Sequence, residues 1–405
     1  MCNKKINISP LYDYYVEKNF NPTLIDLESK DKLITHFFKR LNLYVNKLKL
    51  SPLMFRNANV LEIGCSSGEN ALVIAKMGAN FDFIEPRKQS TDRLTDLFTK
   101  FHLKSSICRI SNTIIENLSS DQKYDIIIAE GFLGTLSNRN SHLSQLLNLI
   151  DYPGLCIVSS SDPYGLLVEL TKIFIFQFLD YKKQLLSDND KFQLATNLFE
   201  KEYNSIPHSR SFKRYYLDTF VNPLGGYKRA WGMEEMLPVA EKENFTLFSS
   251  WPYYGIDDDL LWHKHVKSTK EKNKELLNQY FLRCPSYIAS EVLTQHDLHW
   301  ATNFLNSIKD YMHEIDYLAN NKFESSQKLL HTIKEIKYML KEQYPGSKTF
   351  TLFDNIEKLI LVLNDDSRDF IDQYNKSILP VTWGIPYHYK CFSQNIESSV
   401  KNMLS

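Results

Sequence analysis

The stretch VLEIGCSSG from Val60 to Gly68 constrains this chain more than any other. An apolar strand ends in a turn through Gly64 and Gly68, and Glu69, Asn70 and Ala71 then open a helix. Glycine tolerates the left-handed backbone such a turn needs and lets a ligand approach the main chain. The helix that follows presents unpaired N–H groups in its first turn. The spacing is E-x-G-x-x-x-G, which differs from the G-x-G-x-x-G of dinucleotide-binding folds.

Further apolar runs follow in order at Asn80–Ile84, Tyr124–Ala129 and Gly154–Val158. Helical stretches such as Ser90–Phe101 and Ser141–Leu149 alternate with them, the pattern of a parallel, doubly wound sheet. Glu85 closes the second strand about twenty residues past the glycine turn, where a carboxylate can accept hydrogen bonds from two ribose hydroxyls. The glycine spacing, with an acidic residue closing the strand, resembles motif I of the class I S-adenosylmethionine-dependent methyltransferases, and the later strands extend the resemblance over the family's cofactor half.

The resemblance implies an α/β fold: a doubly wound, mostly parallel seven-stranded sheet with a final antiparallel strand, plus a mainly helical insertion or accessory domain. It implies S-adenosylmethionine as cofactor. Gly64, Cys65, Ser66 and Gly68 form the loop against its amino acid moiety, Glu62 orients the ammonium, and Glu85 clamps the ribose. The family often places an Asp near the adenine amino group after its third strand. Here Ile107–Thr113 contains none, and Asn112 is the residue able to accept the same hydrogen bond.

Organisation along the chain follows from the same pattern. The expected segments are a helical cap over 1–50, a cofactor-binding core over 51–162 and a helical substrate-covering insertion over 163–232. A core helix and strand over 233–266, a helical domain over 267–378 and a returning strand over 379–405 complete the chain. The helical domain reads as roughly four helices, punctuated near Pro285, Asn320–Asn321 and Pro345-Gly346. Tyr387–Phe392 is aromatic and alternating, as the last strand of the sheet should be. The competing arrangement ends the sheet at Asp259–His263 and appends the helices.

With 48 basic and 48 acidic residues the formal charge is zero, which argues against a broad nucleic-acid surface. The N-terminus lacks an apolar signal core and no segment offers ~18 uninterrupted apolar residues, so no membrane insertion is expected. Tyr164–Leu179, the most apolar stretch, reads as a buried helix or a helix bearing a partner surface. Cys2, Cys65, Cys108, Cys156, Cys284 and Cys391 form no C-x-x-C pair, a cytoplasmic pattern. Cys65, Cys108 and Cys156 are expected as small buried thiols.

Methyl transfer from a sulfonium is an in-line displacement, so the protein must align nucleophile and methyl carbon and remove a proton where one is carried. Glu130, followed by Gly131, stands at a strand end where, by the resemblance, it touches the methyl donor, acts as base or holds a substrate amine. His208 is a second base candidate. Arg40 shares one helix face with His36 and Tyr44. It either pairs with the cofactor carboxylate or belongs to a solvated basic face with Lys39 and Lys47. Tyr12, Tyr14 and Tyr15 either cover the cofactor or simply pack. Asp162 and Tyr164 stand at the end of the next strand. Tyr164, Trp231, Trp251 and Tyr254 are the substrate-wall candidates, within a set that includes Tyr387 and Tyr389. The pairs His263/His265 and His296/His299 lack companion ligands, so no metal site is expected. The reading is an O- or N-methyltransferase for a small metabolite, with a protein or peptide methyltransferase as the alternative.

Overall fold

The computed structural model describes residues 10–18, 21, 29–118, 122–185, 187–208, 210–255, 267–321, 323, 325–363 and 369–404. Chain contacts divide it into two units. The first comprises 1–160, 231–276 and 388–405, and the second 161–230 and 277–387.

The first unit begins with α1 (Pro10–Glu17) and α2 (Lys30–Leu41), the latter opened by Ser29, whose hydroxyl accepts the Lys32 N–H. A π-helical turn, Asn42–Lys47, continues α2. Five strands follow with their crossover helices: β1 (Asn59–Ile63), α3 (Glu69–Lys76), β2 (Asn80–Ile84), α4 (Lys88–Lys100), β3 (Ile107–Ser111), β4 (Tyr124–Glu130), α5 (Arg139–Leu147) and β5 (Ile150–Ser161). β1, β2 and β4 are buried on both faces, which explains their continuous apolar runs. Phe81 and Phe83 project from one face of β2, stack at 4.9 Å, and both meet the edge of Phe98. β3 lies at the sheet's edge and is half exposed, so its sequence carries no apolar run. For the same reason Cys108 is exposed, contrary to expectation, whereas Cys65 and Cys156 are buried.

The second unit opens with α6 (Leu167–Lys183), α7 (Asp188–Ala195), α8 (Lys201–Asn204) and α9 (Phe212–Thr219). The chain returns to the first unit for α10 (Met233–Lys242) and β6 (Phe245–Trp251). α11 (Thr269–Ile288) leads back into the second, which adds α12 (Leu298–Asn320), α13 (Gln327–Gln343), α14 (Lys348–Leu363) and α15 (Phe370–Lys376). Five helices thus stand where the sequence reads as roughly four. Pro285 lies inside α11, three residues before its end, and does not break it. The division between α14 and α15 falls at residues outside the described set.

β7 (Tyr387–Gln394) and α16 (Ile396–Leu404) finish the chain. The sheet order is β3-β2-β1-β4-β5-β7-β6, with β7 antiparallel to β6. The last strand in sequence therefore lies between β5 and β6, and the helical stretch before it interrupts the sheet's chain path. The alternative strand at Asp259–His263 lies outside the described residues. Within the second unit, α6 is buried along most of its length, and Thr171 meets the Tyr311 hydroxyl at 2.8 Å. Lys172 pairs with Glu202 at 2.8 Å, both fully buried. No described helix is long and apolar enough to cross a membrane.

Candidate functional site

β1 and the glycine turn place the first group of side chains. Gly64 and Gly68 both have left-handed backbones, φ +71° and +80°, as the turn into α3 requires. A Cβ at Gly64 would lie 2.9 Å from the Phe132 ring, and one at Gly68 2.7 Å from Leu94 Cγ. The protein's own packing thus demands glycine at both positions. Gly131, at φ +79°, has nothing within 4 Å of the point a Cβ would occupy, so the space beside it is open.

Glu62 is 5% exposed, and its Oε2 has no hydrogen-bond partner among the described residues. Burial, reinforced by the nearby Glu130 charge and opposed by Arg40, pushes its carboxyl up to about 8. A buried carboxylate without a partner is costly unless a cation joins it.

Arg40 reaches the same region from α2. Its Nη2 donates to Glu130 Oε1 at 2.5 Å and also meets the Tyr44 hydroxyl, while Nη1 donates to the Tyr389 hydroxyl at 3.3 Å. Tyr44 donates to the same Glu130 oxygen at 2.8 Å, and Asn70 Nδ2 donates to the other at 3.3 Å. Burial disfavours the Arg40 charge, but Glu130, Tyr44 and Tyr389 more than offset that and hold it firmly protonated. Arg40 Nε remains buried without a partner among the described residues. His36, one turn back, bonds the Glu69 carbonyl through Nε2 at 2.9 Å, and burial lowers its pKa. Arg40 is therefore buried and not part of a solvated face.

Glu85 anchors a second group. Its Oε2 accepts the Ser66 N–H at 3.0 Å, and Oε1 accepts both the backbone N–H and Nε–H of Arg87 at 3.1 Å. Arg87 also reaches the Ser66 hydroxyl at 3.3 Å and lies under the Tyr15 ring at 5.5 Å. Asn112 donates through Nδ2 to the Glu85 carbonyl at 2.9 Å and to Thr91 at 3.0 Å, leaving its oxygen as acceptor. Tyr14 is buried, whereas the side chain of Tyr12 lies outside the described set. Arg87 and Asn70 contact these candidates although the sequence does not single them out. Arg87 is two residues beyond Glu85 and signalled only by that proximity.

The remaining candidates are dispersed. In the first unit Trp231 is fully buried, its indole N–H donating to Asn140 at 3.0 Å. Tyr254 is fully buried with its hydroxyl on His388, and Trp251 pairs in register with Tyr389. In the second unit Tyr164 is buried against Tyr280, whose hydroxyl donates to Asp162 at 2.5 Å. His208, also there, is exposed and stacked on Tyr203. His296 is occupied by Tyr344 and the Leu282 carbonyl, and His299 by Asn303. His263 and His265 lie outside the described residues. Among the described residues no His, Cys, Asp and Glu group has the arrangement to hold a metal.

These residues fit an amino acid bound at the end of β1. Among the described residues Glu62 Oε2 has no hydrogen-bond partner, and Arg40, already paired with Glu130, keeps its Nε without one, the two poles an α-ammonium and an α-carboxylate would meet. The strand order and the glycine turn, with the methyltransferase family model that matches this stretch, define a class I S-adenosylmethionine-dependent methyltransferase domain, whose cofactor is S-adenosylmethionine.

A family model described as a methyltransferase domain matches residues 36–215, the stretch that contains all of β1–β5. The chain is similar to a ubiquinone biosynthesis O-methyltransferase of Rickettsia typhi (strain ATCC VR-144 / Wilmington), 26% identical over 121 residues. That match spans 30% of this chain and 48% of the relative, about half its length. The protein of the same description from Rickettsia bellii (strain OSU 85-389) is 22% identical over 166 residues, 41% of this chain and 68% of the relative. Among solved structures, the N-methyltransferase NodS from Bradyrhizobium japonicum WM9, in complex with S-adenosyl-L-homocysteine, is 16% identical with a TM-score of 0.31. It is matched over 38% of this chain and 74% of that one.

Proposed function

We propose that the protein methylates an oxygen or nitrogen of a small metabolite in the cytoplasm. The unpartnered, buried Glu62 carboxylate beside the Arg40–Glu130 pair carries the reading. The two poles suit a zwitterionic amino acid group, whose ammonium would draw Glu62, protonated when alone, into its ionised form. The resemblance to relatives described as O-methyltransferases supports an oxygen acceptor. When bound, S-adenosylmethionine supplies an electrophilic methyl carbon.

The chain's own residues then have distinct tasks. Glu62 neutralises the ammonium, and Arg40 the carboxylate. Glu85 accepts from the ribose hydroxyls once Arg87 moves off Oε1, since Oε1 already accepts two N–H groups. Asn112 offers its amide oxygen to adenine. Gly131 leaves room beside the reacting carbon. Glu130 accepts three hydrogen bonds, from Arg40, Tyr44 and Asn70, and serves as the anchor of Arg40 more readily than as a proton acceptor. Trp231, Trp251 and Tyr254 are the first unit's candidates for the substrate wall.

The second reading, a protein or peptide methyltransferase, draws support from one observation. α16 exposes Ile396, Val400, Met403 and Leu404, an apolar helical face of the kind that docks a partner.

Isothermal titration with S-adenosylhomocysteine tests the core of the proposal. The protein should bind it, and Glu85→Ala should bind about 10- to 100-fold more weakly for loss of charged hydrogen bonds. Equal affinity in the variant would remove Glu85 from the site. Turnover of labelled methyl donor against a metabolite extract, compared with a peptide library, separates the two substrate readings.

A further inference from the structure

Only 4% of the Glu85 surface is accessible, although Glu85 is the carboxylate proposed to receive the ribose hydroxyls. Part of its cover comes from two residues along the chain. The Arg87 backbone N–H and Nε–H both donate to Glu85 Oε1 at 3.1 Å, and Nη2 donates to the Ser66 hydroxyl at 3.3 Å. The guanidinium thus spans from Glu85 to the glycine turn, with the Arg87 side chain 14% exposed.

The N-terminal segment packs on the same contact. The Tyr15 ring of α1 lies 5.5 Å from the guanidinium carbon of Arg87. Asn21 bridges the glycine turn and α4: its Nδ2 donates to Ser67 Oγ, and its Oδ1 accepts from Ser90 Oγ, both at 3.3 Å. Ser67 and Ser90 are buried.

A ribose offers a carboxylate two hydroxyl donors without charge. A guanidinium offers N–H donors in a planar fork and adds a full positive charge, so it is the stronger partner for the same oxygens. The two backbone donors to Glu85, from Ser66 and Arg87, are fixed by the chain path. The Arg87 side chain turns about several single bonds and can leave while they stay. A ligand that needs Oε1 therefore binds only the fraction of molecules in which the guanidinium has swung away. Its apparent affinity falls by that fraction.

We propose that Arg87 is a built-in competitor for the ribose position, an autoinhibitory contact steadied by Tyr15. The inference rests on the methyltransferase reading, in which Glu85 holds the ribose. A guanidinium that instead helped to hold the ligand would give the opposite sign in the affinity of its own variant.

The test measures S-adenosylhomocysteine on the full chain, by isothermal titration for affinity and surface plasmon resonance for rates. Arg87→Met keeps an unbranched apolar stem and removes the guanidinium. It should bind about tenfold more tightly than the wild type, with the gain in the association rate. Tyr15→Ala loosens the guanidinium without touching the Glu85 hydrogen bonds, and should tighten binding about two- to fivefold. Added to Arg87→Met, it should change nothing further, because its effect passes through the guanidinium. Unchanged or weaker binding in Arg87→Met would overturn the proposal. So would weaker binding in Tyr15→Ala, which would make α1 a cover that holds the ligand. If Arg87→Met does not fold, the sign of the Tyr15→Ala effect decides. Wild-type binding without a gain in Arg87→Met defeats the competitor alone. No binding by the wild type or any variant defeats the methyltransferase reading, and the competitor falls with it.

Discussion

Arg40 and Glu130 stand ninety residues apart in the chain, yet Nη2 of one lies 2.5 Å from Oε1 of the other, with both side chains about nine-tenths buried. One comes from the helix before the sheet and the other from the end of β4. The pair therefore joins the helical cap to the strand ends at the place where the glycine turn opens. Removing one partner should leave the other as a buried, uncompensated charge. Glu130→Ala should lower stability by about 3–5 kcal/mol in urea unfolding. Glu130→Gln keeps a hydrogen-bond acceptor and should cost less. It should also weaken S-adenosylhomocysteine, because Arg40 loses its anchor. A Gln variant with full cofactor affinity and about 10²-fold lower turnover would instead restore the general-base role.

Glu62 should couple binding and stability to pH with opposite signs. Its carboxyl ionises near 4.5 in the unfolded chain and at about 8 in the folded one. Between those values the folded state holds a proton that the unfolded state has released. The resulting stability is complete below pH 4.5 and lost as pH rises through about 8. Glu62→Gln has no such loss and should be more stable than the wild type at pH 8, by about 1–3 kcal/mol, with a smaller difference at pH 5. Binding runs the other way. An ammonium needs the carboxylate, so affinity for S-adenosylhomocysteine should rise toward pH 8, by up to about tenfold per pH unit, and Glu62→Gln should flatten that profile. A flat wild-type profile would show that Glu62 does not meet the ammonium.

Two glycines with similar backbones should respond differently to alanine. Gly68 and Gly131 both lie at positive φ, but a Cβ at Gly68 strikes Leu94 while one at Gly131 meets nothing within 4 Å. Gly68→Ala should combine backbone strain with overpacking and cost about 2–4 kcal/mol. Gly131→Ala should cost only the strain, about 1 kcal/mol, while reducing turnover because the methyl group fills the open space. Thermal unfolding and turnover measured on both variants give the comparison. Equal loss of stability in the two would mean that the space beside Gly131 is not free.

Deleting β7 should destroy the sheet. It lies between β5 and β6, so a chain ending before Leu379 must either close the gap or expose two strand edges. Aggregation is the expected outcome by size-exclusion chromatography. A monomeric truncated protein that still binds S-adenosylhomocysteine would show that the five strands β1–β5 suffice for the cofactor half.

Much of the cofactor half is legible in the sequence because its signals are local. Burial on both faces makes β1, β2, β4 and β5 continuous apolar runs, and positive φ demands glycine at 64 and 68, so strand, turn and helix can be read from a few adjacent residues. Glu62 and Glu85 are singled out as candidates because strand length sets their offsets from the turn. Edge strand β3 is faint, and Cys108 reads wrongly as interior, because an edge strand needs no apolar run. The helical unit shows its composition but not its divisions, since Pro285 sits near enough the end of α11 to be accommodated.

Tertiary structure alone decided which polar groups meet. Nothing in the sequence pairs Arg40 with Glu130, sets Arg87 on Glu85, or leaves Glu62 and Tyr215 buried without partners among the described residues. The pairings join residues as far apart as α2 and β4, and their energies depend on burial and orientation that no local pattern encodes. By itself the sequence determined the cofactor fold. The three-dimensional packing decided which of its charges are satisfied among the described residues and which are not.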